Sequence, residues 1–182
     1  MNWQESTSPN GFLLAEVISA VIKEIRHGKE EESLAWALEM ALSGAEAEDF
    51  LWECLLVFSI EDVGLADPQA LRVCFDSQEL YFLLPRGDSR RLLAIAHAVA
   101  YLCRTKKTRY ANELLAVVKA RLGDGSMALS MPDRAVDIHT RRGKEQGRGL
   151  LHYYTEAATL VNEDPSFPDN YREELTERAR GS

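Results

Sequence analysis

A basic, glycine-containing stretch is the part of the sequence whose residue types best suit ligand chemistry. Between residues 139 and 154, arginine and lysine side chains are interspersed with glycines, and histidines and tyrosines flank them. Arginine binds phosphate and carboxylate groups through paired N–H donors, and glycine lets the backbone approach a ligand closely. We therefore predict a surface that binds an anion, a phosphate or an acidic partner. Its members are His139, Arg141, Arg142, Lys144, Arg148 and His152, with Lys106 from a second basic cluster at 104–109.

The distribution of charge gives these basic residues a second interpretation. Residues 134–149 carry a net charge of +3, whereas the 182-residue chain has a net charge of −8 and residues 1–62 have one of −10. The basic side chains of this stretch and of the 104–109 cluster are then solvated, or they pair with the acidic first third of the chain across an interface. The overall acidity argues against nucleic-acid binding over the whole surface, but it leaves room for a local basic patch.

No recognised catalytic or metal-binding motif occurs in the sequence. It lacks a phosphate loop (GxxxxGK followed by Ser or Thr), GxGxxG, HExxH and GxSxG. The four histidines never form HxH or HxxxH, and the three cysteines lie apart in apolar runs, as reduced core thiols do. We expect no enzyme activity, no cofactor and no metal. A general acid–base at His139 or His152 beside Arg148 is the remaining enzymatic alternative.

A second segment, residues 59–68, has the composition of a tight corner between two helices. Glu61 or Asp62 is expected to accept hydrogen bonds from backbone N–H groups, and Gly64 to adopt a conformation that other residues resist. Asp67 and Pro68 are expected to start a helix, with Asp as its cap and Pro at the first helical position. We assign these five residues to a structural motif.

Apolar residues recur at helical spacing almost throughout, and no stretch alternates as a β-strand does. Helices are predicted over 12–27, 30–43, 46–60, 68–84, 90–104, 109–122, 150–161 and 170–180. Short connections bounded by Gly or Pro favour helical hairpins. The sequence thus predicts an all-α helical-hairpin bundle. Its expected organisation is a polar leader over 1–11, one domain over 12–162, and a turn with a short helix over 163–182.

The sequence also bears on where the chain acts. Its most apolar run, 92–103, is shorter than the roughly 20 residues that a membrane span needs. Residues 1–11 lack the basic start and apolar middle of a signal peptide. We therefore expect a cytoplasmic protein without a membrane partner. The initial Met and the polar leader favour a free-standing protein over a domain excised from a larger one.

Several segments together resemble one known family. They are EVISAVIKEIR (16–26), SLAW (33–36), EDVGLADP (61–68) and HAVAYL (97–102), followed at the right interval by Lys106. This set is similar to the C-terminal helical domain of the replication-associated recombination protein A family, also called MgsA, which are clamp-loader-like AAA+ ATPases. The resemblance covers roughly residues 12 to 122. After Gly123 it is only suggestive, through 147–149 and the aromatic residues that follow.

The resemblance implies a collar like that of a clamp loader and a non-catalytic oligomerisation or assembly module linked to DNA replication and recombination repair. The family's ATPase core and lid have no counterpart in this sequence. The implied partners are further copies, as a tetramer, or a clamp-loader-like ATPase, with DNA a further candidate. The sequence departs from the family near Val57, where a basic residue is usual, and at 105–108, where TKKT replaces PKSN. The alternative function is an anion- or nucleic-acid-binding protein that uses 139–154.

Overall fold

A computed structural model describes residues 5–167 and 169–181, so the first four residues of the predicted leader lie outside the described part. Nine α-helices form in these ranges. They are α1 (Leu14–Arg26), α2 (Glu30–Ala41), α3 (Ala45–Phe58), α4 (Ala70–Leu83), α5 (Arg91–Arg104), α6 (Tyr110–Gly123), α7 (Arg141–Glu145), α8 (Leu150–His152) and α9 (Asn170–Arg180). The described residues form no β-strand, although a single bridge joins Thr7 and Leu13. The all-α prediction is confirmed.

The chain divides into two compact units, one ending at Asp124 and the other beginning at Gly125. The division falls inside the 123–132 segment. All residues of this segment are exposed, so none of them is buried in the core of either unit. From the sequence, one domain was expected over 12–162, whereas the structure groups 125–162 with α9. The boundary between the units therefore falls inside the range that was predicted to be one domain.

Helical hairpins build the first unit. Helix α1 packs along α2 and α4 packs along α5, while α2 also contacts α5 and α3 lies against α1, α2 and α4. The apolar stripe of α1 points into this core because its members recur at helical spacing. The largest fully buried side chains of the core are Trp52, Tyr81, Phe58, Ile25, Met40, Leu51, Leu55, Ile95 and Leu102.

The start of α5 contributes a buried cation to the first unit. Arg91 is 4% exposed, and its guanidinium carbon lies 4.0 Å from the centre of the Tyr81 ring. One of its terminal nitrogens is 3.2 Å from Glu48 Oε2. The aromatic face and the carboxylate compensate for part of the lost hydration, while the buried Nε has no hydrogen-bond partner within the described chain. The sequence pattern marked this position only as part of a helix start.

The three cysteines are free thiols that line or enter the core. Cys74 and Cys103 are buried and Cys54 is half-buried. Burial raises the pKa of the Cys74 thiol to about 12 and that of Cys54 to about 11. Thiols with raised pKa values form little thiolate near neutral pH and are therefore poor nucleophiles.

Helix α6 differs from the other long helices of the first unit because it buries none of its residues. It makes its contacts with two short turns, a π-helical turn over Ser59–Val63 and a 3-10 turn over Gly64–Ala66. Its apolar side chains consequently face solvent. Tyr110, Leu114, Leu115, Val117 and Leu122 are all exposed, and we call them the α6 surface.

The second unit departs from the predicted helix limits in two places. A helix was predicted over 150–161, but α8 continues only through a π-helical turn, Tyr153–Ala157. Leu160 and Val161 lie beyond it and are exposed, so no burial draws them into a helix. In addition, α7 forms within the basic stretch, where no helix was predicted.

None of the helices in the described ranges combines the length with the apolar character needed to cross a bilayer.

Candidate functional site

The segment 59–68, which we call the corner, turns the chain between α3 and α4. Its π-helical turn continues α3 directly, and the 3-10 turn begins at Gly64. Gly64 has φ of +50°, a left-handed conformation that side chains with a Cβ disfavour. The expectation of a special conformation at Gly64 is therefore met by the geometry.

Asp62 is the buried charge of the corner, with its side chain 3% exposed. Arg26 Nε donates to Asp62 Oδ1 at 2.8 Å, and Arg26 Nη2 donates to Oδ2 at 3.0 Å. Arg109 Nε lies 3.4 Å from Oδ1. The hydrogen bond to Asp62 raises the pKa of the Arg26 guanidinium. A single carboxylate thus ties the end of α1 to the residue that precedes α6.

Glu61 holds the first turn of α6. Its Oε1 accepts hydrogen bonds from Arg109 Nη2 and from Asn112 Nδ2, each at 2.9 Å. From the sequence, Glu61 or Asp62 was expected to accept from backbone N–H groups, but their partners are side chains of distant elements. The physical reason is that two guanidinium groups, from α1 and from before α6, neutralise the two adjacent acids.

Asp67 joins the corner to the end of α5. Its Oδ2 accepts from the Thr105 hydroxyl at 2.6 Å and from the Tyr101 hydroxyl at 2.7 Å, and its Oδ1 accepts from the Gln69 N–H at 3.0 Å. These bonds, with that of Thr105 the largest influence, lower the pKa of the Asp67 carboxyl. Helix α4 starts only at Ala70, because a turn closed by Ala70 N and Asp67 O precedes it. Pro68 therefore lies before the helix and not at its first position.

Acid should weaken the folded state partly through Asp67. A carboxyl whose pKa is lower in the folded than in the unfolded chain stabilises the fold above its unfolded pKa, and this contribution is lost as the pH falls through the folded pKa. We expect the free energy of unfolding to decrease below about pH 4, and to decrease less steeply in Asp67→Asn. Urea unfolding at neutral and acidic pH measures this. The control is Asp49→Asn, which removes an exposed carboxylate without a hydrogen bond in the described chain. The same pH dependence in the wild type and Asp67→Asn would contradict the assignment.

Lys106 follows Thr105, which donates to Asp67, but the side chain of Lys106 is exposed. Its neighbour Lys107 is the lysine that makes hydrogen bonds within the first unit. Lys107 Nζ donates to the backbone oxygens of Cys103 at 2.9 Å and Thr105 at 3.1 Å. A cation at this place satisfies carbonyl groups left open at the end of α5. Burial lowers the pKa of Lys107.

In the second unit, Arg148 is a structural residue of the basic stretch. Its Nη1 donates to the backbone oxygens of Asp133 and Val136, and its Nη2 pairs with the Asp133 carboxylate. The side chain is only 19% exposed. Arg148 thus holds the turn at 133–136 against the chain after α7, and its donors face that turn.

Arg142 and His152 lie near the acid that Arg148 holds, because both add to the effect of the Arg148 hydrogen bond in lowering the pKa of the Asp133 carboxyl. Arg141 Nε pairs with Glu145 at 2.8 Å on the same helix turn, whereas Arg142 and Lys144 are exposed. His139 Nδ1 lies 3.0 Å from Asp137 Oδ2, and the hydrogen bond with His139 lowers the pKa of the Asp137 carboxyl. The anion-binding assignment of these residues stays a prediction.

The structure gives a reason for the glycine at position 143 of the basic stretch. A Cβ at this position would lie 1.8 Å from the backbone oxygen of Asp137, and Gly143 N donates to the Thr140 hydroxyl at 3.0 Å. The sequence was compatible with either a loop or a close backbone approach. The approach does occur, but the neighbour is the chain's own backbone.

Aromatic residues of the stretch line a cavity of about 490 Å3 in the second unit. Tyr153 stacks edge-on against His139 and Tyr154, with ring centres 5.0 and 5.3 Å apart. Further walls come from Leu160, Phe167, Tyr171 and Leu175, and none of Arg141, Arg142 and Arg148 lines the cavity. His152 is half-buried, with its Nδ1 unpartnered within the described chain.

The individual contacts of the corner were not predicted from the sequence, although pairing of the 104–109 cluster with the acidic first third was one interpretation of its charges, and Arg109 does pair with Glu61. Arg26, Arg109, Thr105 and Tyr101 lie 34 to 48 positions from the acids that they contact. The one available signal was the basic cluster at 104–109, which contains Arg109. Among the described residues, no group of His, Cys, Asp and Glu side chains is arranged to hold a metal ion.

The structure thus defines an all-α protein built from helical hairpins. Ion pairs at the corner fix α1 and α6 relative to each other. A family model described as "MgsA AAA+ ATPase C terminal" matches residues 28–179. The chain belongs to this family, which confirms the resemblance found in the sequence. The match runs through the second unit, where the likeness in the sequence was only suggestive.

Several relatives carry the name replication-associated recombination protein A. The Escherichia coli protein is 31% identical over 144 residues, which cover 76% of this chain and 30% of the relative. The Bacillus subtilis protein is 29% identical over 144 residues, covering 76% and 32%. The Coxiella burnetii protein is 27% identical over 150 residues, covering 81% and 33%. The chain thus spans about a third of the length of these relatives.

Proposed function

We propose that this chain is a non-catalytic assembly module of DNA replication and recombination repair that acts in the cytoplasm. Its family membership supports the link to a AAA+ ATPase, and its relatives are named for replication and recombination. The observation that carries the assembly role is the α6 surface, because a 14-residue helix with an apolar side buries none of its residues. The proposed occupant of that surface is a second copy of the chain.

The sequence of α6 fits association between copies. Tyr110, Leu114 and Val117 recur at helical spacing, and Leu115 and Leu122 widen the apolar arc. Exposed fractions of 50% for Leu114 and 60% for Leu115 are high for leucines of a packed helix. Contiguous apolar surface of this kind marks protein–protein contacts.

Helix α6 also borders an apolar groove at the corner through Ala111. The groove has a volume of about 200 Å3, and Ile60, Leu65, Leu71 and Ala111 contribute to its walls. Of these, Leu65 is 72% exposed. Helix α6 and the groove together offer a partner an extended apolar contact with a recess.

A charge placed on the α6 surface should dissociate the assembly. We expect the wild type to form oligomers and the double variant Leu114→Glu/Val117→Glu to be monomeric, because burying two carboxylates in an apolar contact is costly. Analytical ultracentrifugation over a range of protein concentrations measures this. Both sites are exposed, so the stability of the monomer should change by no more than about 0.5 kcal/mol per substitution.

The matched control introduces a charge on the opposite side of the same helix. Ala116→Glu should leave the oligomeric state unchanged, because Ala116 is exposed and lies about 100° or more around the helix from every member of the α6 surface. A double variant that assembles as the wild type does would remove α6 from the interface. A strictly monomeric wild type that also fails to bind a clamp-loader-like ATPase would remove the assembly role itself.

The alternative function, binding of an anion or nucleic acid through 139–154, has less support from the geometry. Arg141 and Arg148 each hold an acid of the same chain, which leaves fewer free donors for a ligand. Arg142, Lys144 and Lys106 are exposed and remain the cations on which that alternative depends.

A further inference from the structure

A small apolar cavity lies between α1, α3 and the corner, apart from the α6 surface. It has a volume of about 220 Å3, and its apolar walls are Ile22, Phe50, Cys54, Val57 and Phe58. Val57 is 56% exposed at the mouth, whereas Phe58 is buried. The cavity therefore opens to solvent and ends on the core, which is the shape that an inserted apolar side chain requires.

Acidic residues follow the exposed side of α3 toward this cavity, and Glu53 lines it. Glu46, Asp49 and Glu53 are exposed and lie with Val57 on one face of the helix, at spacings of three, four and four residues. No ion pair involves these three acids anywhere in the part of the chain that the structure describes. We call them the α3 acids.

The other charges near the cavity are already compensated. Glu61 and Asp62 also line it, but Arg109 holds Glu61, and Arg26 and Arg109 hold Asp62. The charge that leaves a negative field at the mouth is therefore that of Glu53, with Asp49 one helical turn before it. A cationic partner is attracted by such a field, whereas an acidic segment or an anionic surface is repelled.

We propose that the cavity and the α3 acids bind a basic segment of a partner protein. One apolar side chain of that segment fills the cavity, and arginine or lysine residues beside it pair with Glu53 and Asp49. The apolar anchor supplies most of the affinity, and the charges supply orientation and discrimination between partners. This binding goes beyond the assembly role and uses a different surface of the first unit.

The experiment uses the full chain and a five-residue peptide with a central leucine between pairs of arginines. Heteronuclear NMR follows the amide signals of Cys54, Val57 and Phe58 during titration. We expect these signals to shift, and the affinity to fall as salt is added. A peptide with glycine at the centre and one with glutamates for arginines should each bind at least about tenfold more weakly.

Two variants and a control separate the cavity from unspecific charge attraction. Val57→Arg blocks the mouth and Glu53→Lys reverses a charge, and each should weaken binding about tenfold. Glu32→Lys changes the net charge equally on α2, where the side chain is exposed and does not line the cavity, and should have little effect.

The proposal is overturned if the leucine peptide does not bind, if the glycine peptide binds equally well, or if Glu32→Lys and Glu53→Lys have the same effect. The oligomeric state of each variant is measured in parallel. A change in peptide binding at unchanged oligomeric state separates this proposal from the assembly role.

Discussion

Replacing Arg26 by Met is expected to destabilise the first unit by about 2–3 kcal/mol, because it leaves the buried Asp62 carboxylate without its two closest donors. Met keeps the aliphatic packing of the side chain, so the loss reports on the charge. The value lies below that for a fully buried pair because Arg26 is one-third exposed and Arg109 remains near Asp62. Urea unfolding followed by tryptophan fluorescence measures the change, since Trp36 and Trp52 lie in the first unit.

The control for this prediction is Arg104→Met. Arg104 also forms a bidentate ion pair with a glutamate, Glu30, but both side chains are open to solvent. Solvent screens such a pair, so we expect little change in stability. Equal losses in the two variants would show that burial of Asp62 does not determine the strength of the corner.

Gly143→Ala is expected to disrupt the structure around α7. An alanine Cβ would overlap the Asp137 backbone, with distances of 1.8 Å to its oxygen and 2.4 Å to its carbonyl carbon, and a backbone cannot move aside as a flexible side chain does. We expect a loss of roughly 3 kcal/mol, at the upper end of the usual cost of overpacking. Hydrogen exchange at the amides of Lys144 and Arg148, which donate to Thr140 and Gly143, should become about 100-fold faster.

Gly149→Ala provides the matched control six residues further on. No atom lies within 4 Å of the position that an alanine Cβ would occupy there, and the φ of −101° suits alanine. Exchange at the same amides should therefore be unchanged. If Gly143→Ala also left these rates unchanged, the close approach of the two backbone segments would be wrong.

The helices of the first unit were largely predictable because their information is local. The apolar spacing of α1 and the first-turn glutamates of α2 depend only on residues within a few positions. The shortened helix after α8 was not predictable in the same way. Leu160 and Val161 fit a helical pattern, but a pattern does not show whether a core is present to bury them.

The corner shows how little of a candidate site can be predicted from sequence. The composition of 61–68 marked a turn, but not that Asp62 would meet Arg26 or that Asp67 would meet Tyr101. The basic stretch shows the converse, because clustered arginines suggested one shared ligand. In the structure Arg141 and Arg148 turn to different acids of their own chain.

By itself, the sequence determined the helical class of this protein, the approximate course of its long helices and its family, because these follow from local periodicity and from strings such as EDVGLADP. Only the tertiary structure decided which charges meet, which glycine touches a neighbouring backbone, and that α6 remains uncovered. The reason is physical. Ion pairing and burial depend on which distant segments the folded chain brings together. The type of a residue shows which contacts it can make, but not which residue will be its partner.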